Sequence, residues 1–249
     1  MKVISYCIFD GGDELLMNWY MRGLYFNYRM NRLLYPDWTM IFHGDSALYD
    51  RFDFLPDFSD TFKIDDFMFL SHGRCYNMLT RMRPVFDNSI THVLCRDADA
   101  ITTYREMCAV NDWLNSGKAI HGINDNPAHS IPLMGGMIGI DCQKFRELTG
   151  INTFEQLVEG HDLSYHGSDQ ELLMKKIWPK VSDNFFLSKD PIQRRHNKLW
   201  ESDLTCRHIG SAGVVEMELV RFLQRHDPEN DKYVTFEKQY PNLFYWWLP

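Results

Sequence analysis

"VLCRDADAITTYRE", residues 93–106, decides the reading of this chain. Val93, Leu94 and Cys95 continue the apolar, β-branched run "ITHVLC" and read as a buried strand. That strand runs straight into Arg-Asp-Ala-Asp. Thr103 and Glu106 then stand at capping-box spacing, so a helix begins there and extends to about Ser116. Strand, short loop and helix make the βα turn of an α/β fold. In open α/β sheets ligands gather at the carboxyl ends of strands, where this stretch puts Asp97 and Asp99.

The same alternation continues outward. "KVISYCIF" (2–9) reads as a buried first strand, broken by Gly11-Gly12. From Asp13 to Leu34 the pattern is helical, with Leu15, Leu16, Trp19, Leu24 and Tyr28 as candidate core residues. "YPDW" stops it, because proline disfavours helix in the preceding residue. "TMIFHGD" (39–45) is a second strand, Tyr49 to Asp66 reads as irregular, and Arg74 to Met82 as a helix. "KAIHGI" and "LMGGMIGI" are two further strands. "TFEQLVEG" and "SDQELLMKKIW" each open with a hydroxyl residue followed three later by Gln or Glu, a helix start. The chain carries no repeat and no clear linker. The expectation is one α/β domain over 1–249, with a mixed central sheet flanked by helices.

Bulk properties bound the function. At 249 residues, 45% hydrophobic and 24% charged, the composition is that of an ordinary globular domain. The 14% aromatic content suits a thick core or a sugar-binding face. A net charge of −8 argues against binding nucleic acid. An acidic protein that holds an anion must supply local positive charge: a metal ion, a helix N-terminus or a few arginines. The six cysteines form no Cys-x-x-Cys, which argues for free buried thiols in a reducing compartment rather than a zinc site. The apolar run Val3–Phe9 is too short for a signal peptide or a membrane span. "LFYWWLP" at 243–249 reads as an anchor packed on the domain, with an interfacial membrane or partner patch as the alternative. Together these make a soluble, cytoplasmic protein without a transmembrane segment the expectation.

Two carboxylates at i and i+2 repel unless a cation lies between them. Magnesium takes one or two protein carboxylates and fills its remaining positions with water and substrate phosphates, and manganese favours similar oxygen ligands. Asp-x-Asp past a strand is therefore a metal half-site for a diphosphate. A surface turn, or a helix N-terminus favoured by two negative charges, would place the same residues there. Gly135 and Gly136 interrupt an apolar strand, a mark of close backbone or ligand approach, or of a bulge. Asp169 falls in the first turn of a helix, where capping by Ser168 and compensation of the helix dipole by Asp169 suffice to explain it. His208 in "CRHIGSAG" is a candidate third metal ligand.

Together these residues resemble the GT-A class of nucleotide-sugar-dependent glycosyltransferases, Asp97-Ala98-Asp99 being similar to that class's DxD motif. More narrowly the chain resembles a group of small GT-A-like glycosyltransferases of bacteria, algae and large viruses. The resemblance runs over about residues 20–173, through "YMRGLYFNYRMNRLLYPDW", Arg81 in "NMLTRMRPVFD", "LCRDADAITTYREMCAVNDWLNSGKAIHGINDNPAH", "LMGGMIGI" and "DQELL". It implies a nucleotide-binding half over about 1–100, then an acceptor half with a C-terminal metal-ligand segment over about 101–249. It implies Mn2+ or Mg2+ on Asp97, Asp99 and His208, a nucleoside-diphosphate sugar as donor, and a glycan or other hydroxyl as acceptor. Tyr6, Arg81, Arg96 and Ala98 would lie at the donor, with Arg81 and Arg96 either contacting it or bracing the Asp pair. Gly135, Gly136, Asp125, His129 and Asp169 would face donor sugar and acceptor. Asp169 is the first candidate base and Asp125 the second. The chain departs from the group at "NDNP", where Asn124 and Asn126 replace a charged and a titratable residue, and at Thr80, where a tryptophan is common.

Two other classes share features of the motif. In haloacid-dehalogenase-type phosphatases an Asp-x-Asp supplies a nucleophile, here Asp97, but that motif follows the first strand of its core. A non-catalytic nucleotide-sugar-binding module would retain the fold without turnover.

Overall fold

The computed structural model describes residues 1–9, 12–49, 62–64, 74–124 and 131–189. Their strands are β1 Lys2–Ile8, β2 Trp38–Gly44, β3 Phe62–Ile64, β4 His92–Arg96, β5 Ile120–Asn124, β6 Met137–Asp141 and β7 Phe185–Lys189. They form one sheet in the order β3-β2-β1-β4-β6-β5-β7. β1 is parallel to both β2 and β4, β2 to β3, and β5 to β7, whereas β6 runs antiparallel to β4 and to β5. The fold is α/β with a mixed central sheet flanked by helices.

Helices cover both faces, which is why β1 and β4 read as unbroken apolar runs. Ile4, Tyr6 and Ile8 join Leu24, Phe26, Phe42, Leu94 and Trp113 under the helices Glu14–Leu34 and Tyr104–Ser116. Val3 packs on the other face with Val93, Cys95, Ile138, Ile140, Phe145 and Leu172. The long helix Glu14–Leu34 is capped by Asp13, whose Oδ1 accepts from the backbone N–H of Leu15 and Leu16 at 3.0 and 3.1 Å. Thr103 caps Tyr104–Ser116, and Gly117 ends it at φ +66°. Glu106 does not complete a reciprocal capping box. Its carboxylate accepts from Arg96 Nε at 2.5 Å instead.

Several local expectations change. Leu15 and Leu16 are 62% and 48% exposed, because the first turn of the long helix stands clear of the sheet and only the turns after it pack down. The helix expected over Arg74 to Met82 is an α-helix at Arg74–Leu79 that tightens to a 3-10 helix over Thr80–Phe86, with Pro84 inside it. Phe62–Ile64 is a strand within a stretch expected to be irregular. Gly135 and Gly136 lie in the turn before β6, not within it. The cap before Ser168–Leu172 is Gly167, at φ +86°, and Ser168 instead donates its hydroxyl to Tyr165 O at 2.7 Å. The described cysteines, Cys7, Cys75, Cys95, Cys108 and Cys142, are free and buried. Among the described residues no helix is long and apolar enough to cross a membrane.

Candidate active site

β1 lies between two parallel neighbours, β2, which follows it in sequence, and β4, which begins the other half of the sheet. Connections leave β1 and β4 in opposite directions, and the carboxyl ends of two such strands bound a crevice. A cleft of about 590 Å3 lies there. Cys7, Ile8 and Phe9 from the end of β1 line it, with Asp13, Leu16 and Tyr20 from the long helix, Asn77 and Met78 from Arg74–Leu79, and Asp97, Ala98 and Asp99 from the loop after β4.

The long helix fixes that loop. A Cβ on Gly23 would stand 2.3 Å from the Ala98 carbonyl oxygen, so only glycine lets the helix lie so close. One turn on, Asn27 donates Nδ2–H to Ala98 O at 3.1 Å, while its Oδ1 accepts from the Thr102 amide at 2.8 Å and the Thr102 hydroxyl at 3.2 Å. Trp19 donates its indole N–H to Asp99 Oδ2 at 3.4 Å. Burial, and then the Asp97 carboxylate, push the Asp99 carboxyl above its ordinary range. The two carboxylates thus crowd each other in a half-dry site.

Arg81 and the glycine turn hold Asp97. The guanidinium is buried and donates Nη1–H to Asp97 Oδ1; its Nη2 lies 3.9 Å from Asp169 Oδ2. Burial works against its charge, but Asp97 beside it outweighs that and holds the Arg81 pKa above the usual arginine value. A Cβ on Gly136 would come within 1.9 Å of Asp97 Oδ2, and one on Gly135 within 2.6 Å of Arg81 Nη2. The structure therefore brings Asp97, Asp99, Asp169, Arg81, Gly135 and Gly136 together from four separate stretches of chain. The antiparallel β6 makes this possible, since its first residue, Met137, pairs with Arg96, the last of β4.

Two residues expected at the donor lie elsewhere. Tyr6 is fully buried under the long helix, where its hydroxyl accepts from Asn31 Nδ2 at 2.7 Å and its ring stacks on Phe42. Its position in β1 turns the side chain into the core. Arg96, also buried, pairs with Glu106 and donates Nη1–H to the Cys95 and Ile138 carbonyls at 2.8 and 3.0 Å. It is Arg81, not Arg96, that braces the Asp pair. Asp125, His129 and His208 lie outside the described residues. Gly23, Asn27 and Asn77 escaped the sequence reading. A glycine in mid-helix with an asparagine four residues later was the available signal for the first two; Asn77 left none.

The lining suits a hard divalent ion. It presents the carboxylates of Asp13, Asp97 and Asp99, and among its described residues none is basic. No group of three or more His, Cys, Asp or Glu side chains placed to hold a metal ion occurs among the described residues.

No family model and no curated protein matches the chain. Solved structures do. A glycosyltransferase involved in the glycosylation of the major capsid of PBCV-1 covers 90% of this chain and 98% of its own, at 9% identity and a TM-score of 0.49. A proposed nucleotide-diphospho-sugar transferase from Desulfovibrio desulfuricans G20 covers 92% and 97%, at 14% identity and a TM-score of 0.48. At such scores and identities nothing about substrate or reaction follows from the likeness. The chain is similar to these two proteins along nearly its whole length.

Proposed function

We propose that the protein is a metal-dependent glycosyltransferase of the GT-A kind, moving a sugar from a nucleoside-diphosphate sugar to an acceptor hydroxyl. One observation carries the reading: a crowded carboxylate pair, Asp97 and Asp99, sits in a cleft at the point where the strand order of the sheet reverses. Such a point is where nucleotides bind in open α/β folds. The lining residues among those described fall within 1–100, which favours the nucleotide-binding half being the first.

Asp97 and Asp99 would hold Mg2+ or Mn2+, with His208 as a further candidate ligand. A bound ion there supplies Lewis-acid neutralisation of charge on the leaving diphosphate. The chain's own residues do the rest. Arg81 fixes the Asp97 rotamer and keeps positive charge beside the carboxylates. Trp19 and Asn27 keep the Asp99 loop against the long helix. In an inverting transfer Asp169 would accept the proton of the acceptor hydroxyl, with Asp125 the second candidate.

Thermal unfolding with UDP, GDP, CDP and dTDP, each with and without Mn2+, tests the reading. At about 100 times its dissociation constant a native-state ligand stabilises by roughly 2.7 kcal/mol, which raises Tm by about 5–10 °C in a chain of this size. One nucleotide is expected to give that shift only with the metal. Asp99→Ala is expected to remove the shift while the protein still folds, and an unchanged nucleotide affinity in Mn2+ would overturn the metal assignment.

A further inference from the structure

Asn77 lines the cleft and is only 1% exposed, yet neither its Oδ1 nor its Nδ2 has a hydrogen-bond partner. Its main chain, by contrast, is tied down. The Thr80 hydroxyl donates to the Asn77 carbonyl at 2.6 Å, and the Cys7 thiol, at the end of β1, donates to the next carbonyl, Met78 O, at 3.4 Å. A buried amide with both ends unpaired is costly, and folded proteins seldom leave one without a reason. An apolar side chain of similar shape would fill the same space without that cost.

The chemistry of a carboxamide narrows what satisfies it. It presents a donor and an acceptor side by side. A phosphate accepts only and leaves Oδ1 unpaired. A cation leaves Nδ2 unpaired. An edge with one N–H beside one acceptor, as a nucleobase presents, pairs with both. Position agrees with this. Asn77 stands four residues, about one turn, before Arg81, which holds Asp97, so it lies along the cleft from the carboxylates and not among them. We infer that Asn77 is a specificity-determining residue that pairs with the edge of the donor nucleobase. The inference rests on the nucleoside-diphosphate reading of the cleft.

Two variants of the full chain, titrated calorimetrically with UDP, GDP, CDP and dTDP in Mn2+, test it. Asn77→Leu is expected to leave the ligand-free Tm unchanged or higher, since both unpaired polar atoms go. It is also expected to weaken the preferred nucleotide roughly tenfold to a hundredfold, the equivalent of two lost hydrogen bonds. Asn77→Asp, titrated at a pH high enough to keep the buried carboxyl ionised, makes the group acceptor-only. Guanine alone of the four bases presents two adjacent N–H donors, so this variant is expected to shift the affinity ranking toward GDP. A large fall in ligand-free Tm for Asn77→Leu would make the residue structural and overturn the inference. So would an equal loss for all four nucleotides in both variants, which would place the contact on a group they share, or unchanged affinities. A parent protein that binds none of the four in Mn2+ would remove the nucleotide reading itself. A parent that binds one, with variants that bind equally well, removes only the role of Asn77.

Discussion

Gly136→Ala isolates the contact that shapes the site. The backbone at Gly136 would accept alanine, since its φ is not in the left-handed region. What forbids the methyl group is Asp97: a Cβ would stand 1.9 Å from Oδ2, 2.2 Å from Cγ and 2.5 Å from Oδ1. The whole carboxylate must leave, and its ion pair with Arg81 breaks. Removing one partner of a fully buried pair costs about 3–5 kcal/mol. Here the Arg81 side chain is 4% exposed but that of Asp97 is 40% exposed, so water already screens part of the pair. A loss of roughly 1–3 kcal/mol follows, or a fall in Tm of about 2–12 °C. Metal-dependent nucleotide binding should disappear with it. Thermal denaturation of Gly136→Ala, Asp97→Ala and the double variant reads the coupling directly. With Asp97 already shortened, the added methyl group meets no carboxylate, and the second substitution should cost little. If Gly136→Ala is equally destabilising in both backgrounds, the clash lies elsewhere and the reasoning fails.

Asn27→Leu strips the loop of its staple, leaving the Ala98 carbonyl and the Thr102 amide without that partner. It should cost about 2–4 kcal/mol, a Tm lower by roughly 5–15 °C, seen by calorimetry. Stability should also depend on pH through His121, which lies fully buried, stacked on Trp113 and bonded to Ser188 at 2.9 Å. Burial, then the charge of Arg96, hold its pKa well below 6.5. The unfolded chain therefore takes up a proton near that value while the folded one does not. The contribution is complete above about pH 6.5 and is lost as pH falls toward the folded pKa, at no more than about 1.4 kcal/mol per pH unit. A Tm series from pH 7.5 to about 5 should show the fall, and His121→Gln should flatten it, leaving the smaller slope due to His92, whose pKa burial also lowers.

Much of the fold was legible because its strongest local signals agree. Asp13 and Thr103 both cap the helices they precede, Gly117 ends one, and the apolar runs of β1, β2 and β4 are strands. β7 was not legible, since "FFLSK" is half-buried along most of its length and gives neither a clean alternation nor a clean run. The motif residues Asp97 and Asp99 could be placed at a strand end from local sequence alone. Which way a side chain points is another matter. Tyr6 and Arg96 stand at the right strand ends, but each turns into the core. Arg81 and Arg96 both stood as braces for the Asp pair, and only the packed structure shows that Arg81 reaches Asp97 and approaches Asp169 while Arg96 turns to Glu106.

That reversed strand also governs how the site comes into being. β4 has β1 on one side and must wait for β6 on the other, and β5 waits for the same strand. β6 follows both in the chain, so until residue 141 is in place neither edge can close, and the helix Tyr104–Ser116 has no continuous floor beneath it. Ladders that join distant parts of a chain form slowly, and open strand edges invite intermolecular pairing while they persist. Insertion of one five-residue strand therefore closes the facing edges of β4 and β5, leaving only the outer edge of β5 for β7, and in the same step sets the glycine turn against Asp97.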